Sequence, residues 1–482
     1  MAGIFVSLAA SSNDMQMDST RAVPADLDLL LKSIGLDGLA IGKDLFLELS
    51  RSSKSLIEFK ELLAAKGLKA KRAQAAVLQR LALTGRLRLA TAAEHAVATL
   101  IPISWQFHFG FNALNPRGRY RLSRFAYLRR RECGEFILET PRGFSCLYLH
   151  HPLCLEILYI LSSGARLENI PSGPPEKCRQ NGSLLELLLN GGFIEECIDG
   201  NCLPEDSDLL CQWEFHDLLF HARSRMGRHN YPVGGQVPFL GRIEPQPAVK
   251  PVPLGHRVVL FKPDLAKLTH RDPPFTRVLE SRCSVRSQGN PPIDIKTLGE
   301  FLFRTARIRS QHHRENFLGS FTSRPYPSGG SLYEIETYLV ANNCTGLKRG
   351  LYYYDALDHA LIHTASPTDD LELLLADARL ACRIENANEP QILIMFASRF
   401  QRVSWKYRSI AYALMLKNVG VLQATMNLVA TAMDLASCIV GAGDSDRFSV
   451  VSGIDYYAEG STGEFILGSS AEPPHQKHAP ER

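Results

Sequence analysis

The sequence predicts an α+β fold, with helices and strands mixed but not in strict alternation. Three observations carry that expectation. Residues 24–95 show apolar residues at helical spacing, residues 104–150 break into short alternating runs with glycines between them, and the chain after residue 293 is a dense mixture of both patterns. At 482 residues, 45% hydrophobic and 22% charged, the chain has the composition of a globular protein of two or three domains.

Composition also removes several function classes. The formal net charge of +4 gives no bulk argument for a nucleic-acid partner. Locally, "RGRYRLSRFAYLRRR" from Arg117 to Arg131 holds seven arginines and no acid, which suits either an acidic partner or a solvated face. The 11 cysteines form no C-x-x-C pair, and Cys197, Cys202 and Cys211 fit no zinc spacing, so no metal is expected. They read as reduced thiols of a cytoplasmic protein. No run reaches the ~20 apolar residues of a membrane span. The opening "MAGIFVSLAASS" lacks the basic n-region of a cleaved signal.

Element by element, "ADLDLLLKSIG", "SSKSLIEFKELLAAKG" and "AKRAQAAVLQRLALTGR" read as three helices, the first two ending on glycine, and define a helical module over 1–103. "FAYLRRRECGEFILETPRGFSCLYLHH" reads as a hairpin. "PLCLEILYILSSG" and "SLLELLLNGGFIEE" read as two amphipathic helices, the second with a strand-like tail. Hairpin, helices and ribbon together are the pattern of a winged-helix-like module, whose strand edge can take up a peptide. With a helix over 208–229 it spans 104–229. Proline and glycine then crowd residues 230–292, a linker or wrapping arm with one short strand, "RVVLFKP".

Residues 293–470 form a compact domain. "DIKTLGEFLFRTARIRS" is a helix, "EIETYLVAN" a strand, and "GLYYYDALDHALIHTA" a hairpin turning at 356–359. "TDDLELLLADARLACRI" is a helix and "EPQILIMFAS" a buried strand. A helical run over about 406–433 leads to the strand "SCIVGAG". "EFILGSS" reads as an edge strand, and 471–482 as a disordered tail.

No P-loop, G-x-G-x-x-G, G-x-S-x-G or H-E-x-x-H is present. Three features remain. Arg304, Thr305 and Arg307 in "FRTARIRS" place two guanidinium forks and a hydroxyl within one turn, an arrangement that suits a phosphate or, equally, a basic helix end on its own dipole. Pro327, Ser328, Gly329 and Gly330 form a loop whose glycines admit something flat or anionic close to the backbone, though Gly-Gly before a strand is also an ordinary turn. In "SWKYRS", Lys406 and Tyr407 are adjacent, and partial desolvation would fit such a pair for proton transfer.

With "SRPYPSGGSLYEIETYLVA", "CTGLKRGLYYYDALDHAL", "SWKYRSIAYALMLKNVGVLQATMNLVATAMDLASCIVGAGD" and "GEFILGSS" in this order, residues 295–470 resemble the SagB/ThcOx-type dehydrogenases of the nitroreductase superfamily. "WEFHDLLFHARSRMGRH" resembles the segment joining the two halves of the longer members. The resemblance implies a nitroreductase-like FMN domain, a homodimer with flavin at the subunit interface, and oxidation of thiazolines or oxazolines in a ribosomal precursor peptide. It implies a cyclodehydratase partner; from charge and the lack of a long apolar run, no nucleic-acid or membrane partner is expected. Lys406–Tyr407 match the family's catalytic pair. Arg304-Thr305-Ala306-Arg307 match its phosphate motif, with threonine for serine. By the same resemblance Ser328, Gly329 and Gly330 would lie against the isoalloxazine edge, with Gly441 and Gly443 as the opposite wall or as a plain strand-to-turn junction. An FMN enzyme of unrelated substrate, or a peptide-binding scaffold without catalysis, are the alternatives.

Overall fold

The computed structural model describes residues 3–9, 31–32, 42–170, 175–197, 203–230, 233–313, 318–384 and 390–471. The chain divides into two compact units, 1–233 and 234–482.

In the first unit, β1 (Phe5–Leu8), β2 (Lys54–Ser55), β3 (Leu87–Ala90) and β4 (Ala98–Pro102) come from the part expected to be helical. Next come β5 (Arg119–Leu122), β6 (Tyr127–Arg130), β7 (Phe136–Glu139), β8 (Ser145–Leu149), β9 (Ala165–Arg166) and β10 (Ile194–Glu196). One seven-stranded sheet runs β2-β1-β3-β4-β8-β7-β6, and β5 pairs with β9 and β10 in a smaller one. Residues 1–103 therefore do not form a separate helical module. The pairing of Ala98 with Leu149 and Pro102 with Ser145 carries the sheet across the expected boundary at 103/104.

The expected helices are present beside it. Leu56–Ala65 starts on a capping box in which Ser55 and Glu58 exchange side-chain and backbone bonds at 2.7 and 3.2 Å. Lys71–Leu83, Leu153–Ser162 and Pro175–Asn190 follow. The first predicted helix falls outside the described residues apart from 31 and 32, and residues 472–482 of the tail are outside them too. Over 208–229 the helix is confined to Phe215–Arg223.

Much of the arginine run is engaged internally. Arg119 donates to the Ser163 and Gly164 carbonyls at 3.1 and 3.4 Å, and Arg124 to the Leu210 carbonyl at 2.6 Å. Arg129 pairs with Glu139 at 2.6 Å; Arg131 pairs with Glu135 at 3.4 Å and bonds the Tyr148 hydroxyl at 2.9 Å.

The second unit begins with β11 (Gly234–Gly235) and β12 (His256–Val259), followed by the helix Ile295–Thr305 and the hairpin β13 (Ser310–His313) and β14 (Ser320–Ser323). Its main strands are β15 (Ile335–Ala341), β16 (Gly350–Asp355), β17 (Ala360–Ala365) and β18 (Ile392–Arg399); after β19 (Tyr407–Arg408) come β20 (Leu435–Val440) and β21 (Glu459–Ser469). The sheet order is β12-β17-β16-β15-β18-β21-β20, with every strand pair antiparallel.

Both faces of this sheet are covered, which explains why its strands read as unbroken apolar runs. Leu339, Tyr352, Ile394 and Phe396 pack with Phe301 of Ile295–Thr305 and with Leu422 and Met426 of the helix Ala411–Ala432. Their alternates Val340, Tyr353, Leu393 and Met395 pack with Leu371 and Leu375 of Asp369–Ala381 and Phe448 of Ser445–Ser452. Strand β21 is not an edge: it lies between β18 and β20.

Residues 234–292 are a wrapping arm and not a free linker. Strand β12 extends the sheet through the pairing of His256 with His363. Lys250 reaches the Tyr338 hydroxyl at 2.7 Å and the Glu459 carboxylate at 2.6 Å.

Candidate active site

Helix Phe400–Ser404 ends at Trp405, which is buried and whose indole N–H donates to the Ile243 carbonyl at 2.6 Å. The chain then turns outward as β19, which pairs with the glycine ribbon β11, Gly235 opposite Tyr407. Val237 N–H donates to the Lys406 carbonyl at 3.0 Å. A Cβ on Gly235 would stand in ordinary contact, 3.6 Å from Lys406 Cε, so the glycine that this ribbon requires is Gly234, at φ 108°. Lys406 Nζ lies 5.1 Å from the centre of the Tyr407 ring. Tyr407 itself leans on an apolar cluster that includes Phe321, Leu332, Val403, Trp405 and Met415.

The Pro327–Gly330 loop meets this pair from the other side. Gly330 has φ 64°, and a Cβ there would stand 2.9 Å from Lys406 Nζ and collide with the Tyr407 hydroxyl. Ser331 and Tyr333 also have positive φ, 57° and 47°, conformations that non-glycine residues hold only under restraint. The restraint is visible. Gly329 N–H donates to Asn418 Oδ1 at 3.0 Å, Ser331 N–H to the Ser328 carbonyl at 3.0 Å, and Tyr333 N–H to Ser328 Oγ at 3.1 Å. The Gly329 amide is thus already spent on Asn418, and cannot also serve a ligand in this conformation. Arg402, buried, donates from Nε to the Leu332 carbonyl at 3.2 Å and also reaches the Gln246 and Ser320 carbonyls.

The three residues of the expected phosphate motif do not act together. Arg304 pairs with Asp272 and, at 3.2 Å, with Glu300. Thr305 is fully buried and its hydroxyl donates to the Phe301 carbonyl at 2.8 Å, the usual back-bond of a helical threonine. Arg307 stacks on Phe303, donates to its carbonyl at 2.6 Å, and lines a cavity of about 270 Å³ with Lys262 and Arg309. Among the described residues no carboxylate lines that cavity. Burial and, next, the neighbouring Arg309 charge lower the Arg307 pKa, as expected where cations gather without an anion. His359 at the same cavity is fixed between the Tyr354 hydroxyl at 2.8 Å and the Phe261 carbonyl at 2.9 Å, and burial pushes its pKa down.

Gly441 and Gly443 follow β20. A Cβ on Gly441 would meet nothing, whereas one on Gly443 would run into the Glu464 carboxylate. The neighbours of Gly443 are acidic: Asp377, Asp444 and Asp446 line the adjoining surface hollow. Among the described residues no group of three metal-ligating side chains is found, and no helix is long and apolar enough to cross a membrane.

Sequence reasoning missed Asn418, Glu334, Lys262 and Arg309. Asn418 carried a readable signal, being one of the amide side chains, with Gln423 and Asn427, on the buried face of a mostly apolar helix.

Comparison with known proteins adds the following. The nitroreductase family model matches residues 279–468, and the model for cyanobactin oxidase ThcOx matches residues 120–230. A Methanocaldococcus jannaschii protein named for the nitroreductase family, MJ1384, is 24% identical over 189 residues, 39% of this chain and 86% of that protein. The microcin B17-processing protein McbC of Escherichia coli is 31% identical over 130 residues, covering 26% of this chain and 46% of McbC. Among solved structures, a nitroreductase-type protein of Anabaena variabilis is 22% identical with TM-score 0.36, over 52% of this chain and 45% of that one. A chain of the E. coli microcin synthetase McbBCD complex, crystallised with truncated pro-MccB17, is 20% identical with TM-score 0.33, over 52% of this chain and 91% of its own.

Proposed function

We infer, from the match of residues 279–468 to the nitroreductase family model and of residues 120–230 to the cyanobactin oxidase ThcOx model, that the protein is an FMN-dependent oxidase of peptide azolines, turning thiazolines or oxazolines into thiazoles or oxazoles. One observation carries the reading: the glycine loop and the Lys406–Tyr407 pair, far apart in sequence, meet at Gly330.

The residues present fit the cofactor. Gly330 lets the loop backbone come up against two proton-transfer groups, where a Cβ would collide with the Tyr407 hydroxyl. Lys262, Arg307 and Arg309 gather positive charge in a cavity with no carboxylate among its described residues and suit its phosphate, with Arg307 in the role expected of it and Arg304 committed elsewhere. When bound, FMN supplies the two-electron acceptor, and oxygen recovers it.

The chain's own residues do the rest. An azoline ring becomes aromatic by losing one proton and one hydride from adjacent carbons, so the protein has only to orient the ring and receive the proton. Lys406 Nζ or the Tyr407 hydroxyl is the acceptor. The apolar cluster under Tyr407 covers one side of that residue. Thr305, Pro327, Ser328 and Gly329 support the cofactor by shaping the backbone around it, and Gly441 and Gly443 form the opposite wall. A homodimer, a ribosomal precursor peptide and a cyclodehydratase as partners, and a cytoplasmic location, complete the proposal.

The test is an absorbance spectrum of the purified protein, followed by chromatography of whatever heat releases. Flavin bands with FMN as the released species are expected. A colourless protein that takes up no added FMN would contradict the reading. Similarity to MJ1384 favours a second possibility, an FMN oxidoreductase of unrelated substrate; rapid bleaching of the flavin by NADPH would select it.

A further inference from the structure

Beneath the glycine loop lies a carboxyl group that no step above uses. Glu334 is fully buried, at 0% exposure, and its carboxyl binds two partners. Asn418 Nδ2 donates to Glu334 Oε1 at 2.9 Å, and Ser328 Oγ donates to Glu334 Oε2 at 3.3 Å. The same Asn418 amide reaches Ser328 Oγ at 3.2 Å, while its Oδ1 receives Gly329 N–H at 3.0 Å. Ser328 and Glu334 bracket the loop, and Asn418 arrives from the middle of the Ala411–Ala432 helix. Between the brackets sit the three positive-φ residues Gly330, Ser331 and Tyr333.

A buried carboxyl is costly unless it is fully bonded. Burial raises the Glu334 pKa, opposed by Asn418, Ser328 and the nearby Arg324 charge. A simple packing role would be met by an apolar residue at lower cost. The network instead satisfies each donor that would otherwise let the loop relax: the Ser328 hydroxyl, the Asn418 amide, and the Gly329 and Tyr333 N–H groups.

We propose that Glu334 is a positioning residue which, joined to Asn418 and Ser328, holds the loop in the one conformation that sets Gly330 against Lys406 and Tyr407. The proposal rests on the reading of Lys406 and Tyr407 as the reacting pair. Its structural half, that the Glu334 network fixes the loop, stands apart from that reading.

The test compares Glu334→Gln, Asn418→Asp and the double exchange Glu334→Gln/Asn418→Asp. Glutamine takes the acceptor away from the Ser328 hydroxyl, and aspartate at 418 faces a second carboxylate. In the double variant the donor and acceptor roles are exchanged and all but one of the bonds can re-form: the amide now at position 334 donates to the carboxylate now at position 418, and that carboxylate accepts from Ser328 and Gly329, which leaves the single Ser328 hydroxyl hydrogen unable to serve position 334 as well. Two readouts are taken at a temperature where every variant is folded. Amide hydrogen exchange at Gly329 and Gly330, measured without added FMN, should be faster by about tenfold or more in each single variant and slow again in the double one. With azoline peptide, kcat should fall by a similar factor with little change in KM, and recover in the double variant, because displacing a reacting group by an ångström costs up to ~10²-fold. Exchange and kcat at wild-type levels in both single variants would overturn the proposal. Faster exchange with unchanged kcat would overturn the link to Lys406 and Tyr407. If wild type itself fails to bind FMN or act on the peptide, the function reading fails, and the exchange data alone decide whether Glu334 fixes the loop.

Discussion

Gly330 and Tyr407 leave each other no spare room: with φ 64° at Gly330, a Cβ would point into the Tyr407 hydroxyl and stand 2.9 Å from Lys406 Nζ. Gly330→Ala therefore combines a left-handed backbone penalty of about 1 kcal/mol with a displaced Lys406–Tyr407 pair. The expected result is a small drop in melting temperature with a fall in kcat of ~10²-fold, read from thermal melts and steady-state turnover.

Removing the proton acceptors should leave the cofactor in place. Lys406→Ala with Tyr407→Phe is expected to lower turnover by ~10²–10⁴-fold while the protein stays yellow. Turnover near wild type in that double variant would remove both residues from the chemistry.

Two arginines three positions apart should behave differently. Arg304 is paired with Glu300 and Asp272, so Arg304→Ala takes a partner from both carboxylates, Glu300 keeping Arg271, and should cost about 1–3 kcal/mol of stability, measured by denaturant unfolding. Arg307→Ala is expected to unfold like wild type but to bind FMN at least tenfold more weakly in a fluorescence titration. Equal FMN affinity would exclude the Lys262–Arg307–Arg309 cavity as the phosphate site.

The buried carboxyl of Glu464 gives a pH signature. Burial raises its pKa above the ordinary 4.5, against a hydrogen bond from Ser461. A raised folded-state value means that the neutral form is preferred in the fold: the contribution is complete below pH ~4.5 and is lost as pH rises through the raised value. Melting temperatures across that range should decline more steeply for wild type than for Glu464→Gln. Parallel curves would show that Glu464 does not titrate there.

How much of this could be read from the sequence depends on whether the information is local. Strands β15, β16 and β18 were legible because both of their faces are buried, and the helix Ala411–Ala432 because it keeps one apolar stripe over many turns. The joining of residues 1–103 to the sheet of 104–150 was not legible, since the pairing of Phe5–Leu8 with Leu87–Ala90 is a choice of partner made across roughly eighty residues of chain. The proline-rich arm looked like a linker because its paired strands β11 and β12 are short and its other anchors are single side chains: Lys250 on Glu459, and Arg399 and Arg402 on the Pro247 and Gln246 carbonyls. At the site, Lys406, Tyr407 and the glycine loop stood out as short motifs. Arg304 matched a phosphate pattern by residue type, but the pattern holds no information about Asp272, which arrives from the arm and claims it.

We propose that this chain dehydrogenates an azoline ring with FMN and the Lys406–Tyr407 pair. The most direct test of this is mass spectrometry of a thiazoline-containing peptide incubated with FMN-loaded protein in air, beside the Lys406→Ala/Tyr407→Phe variant. Wild type is expected to remove two hydrogens per ring, and the variant to leave the mass unchanged. A yellow wild-type protein that leaves the thiazoline and the corresponding oxazoline peptide unchanged in mass would contradict it.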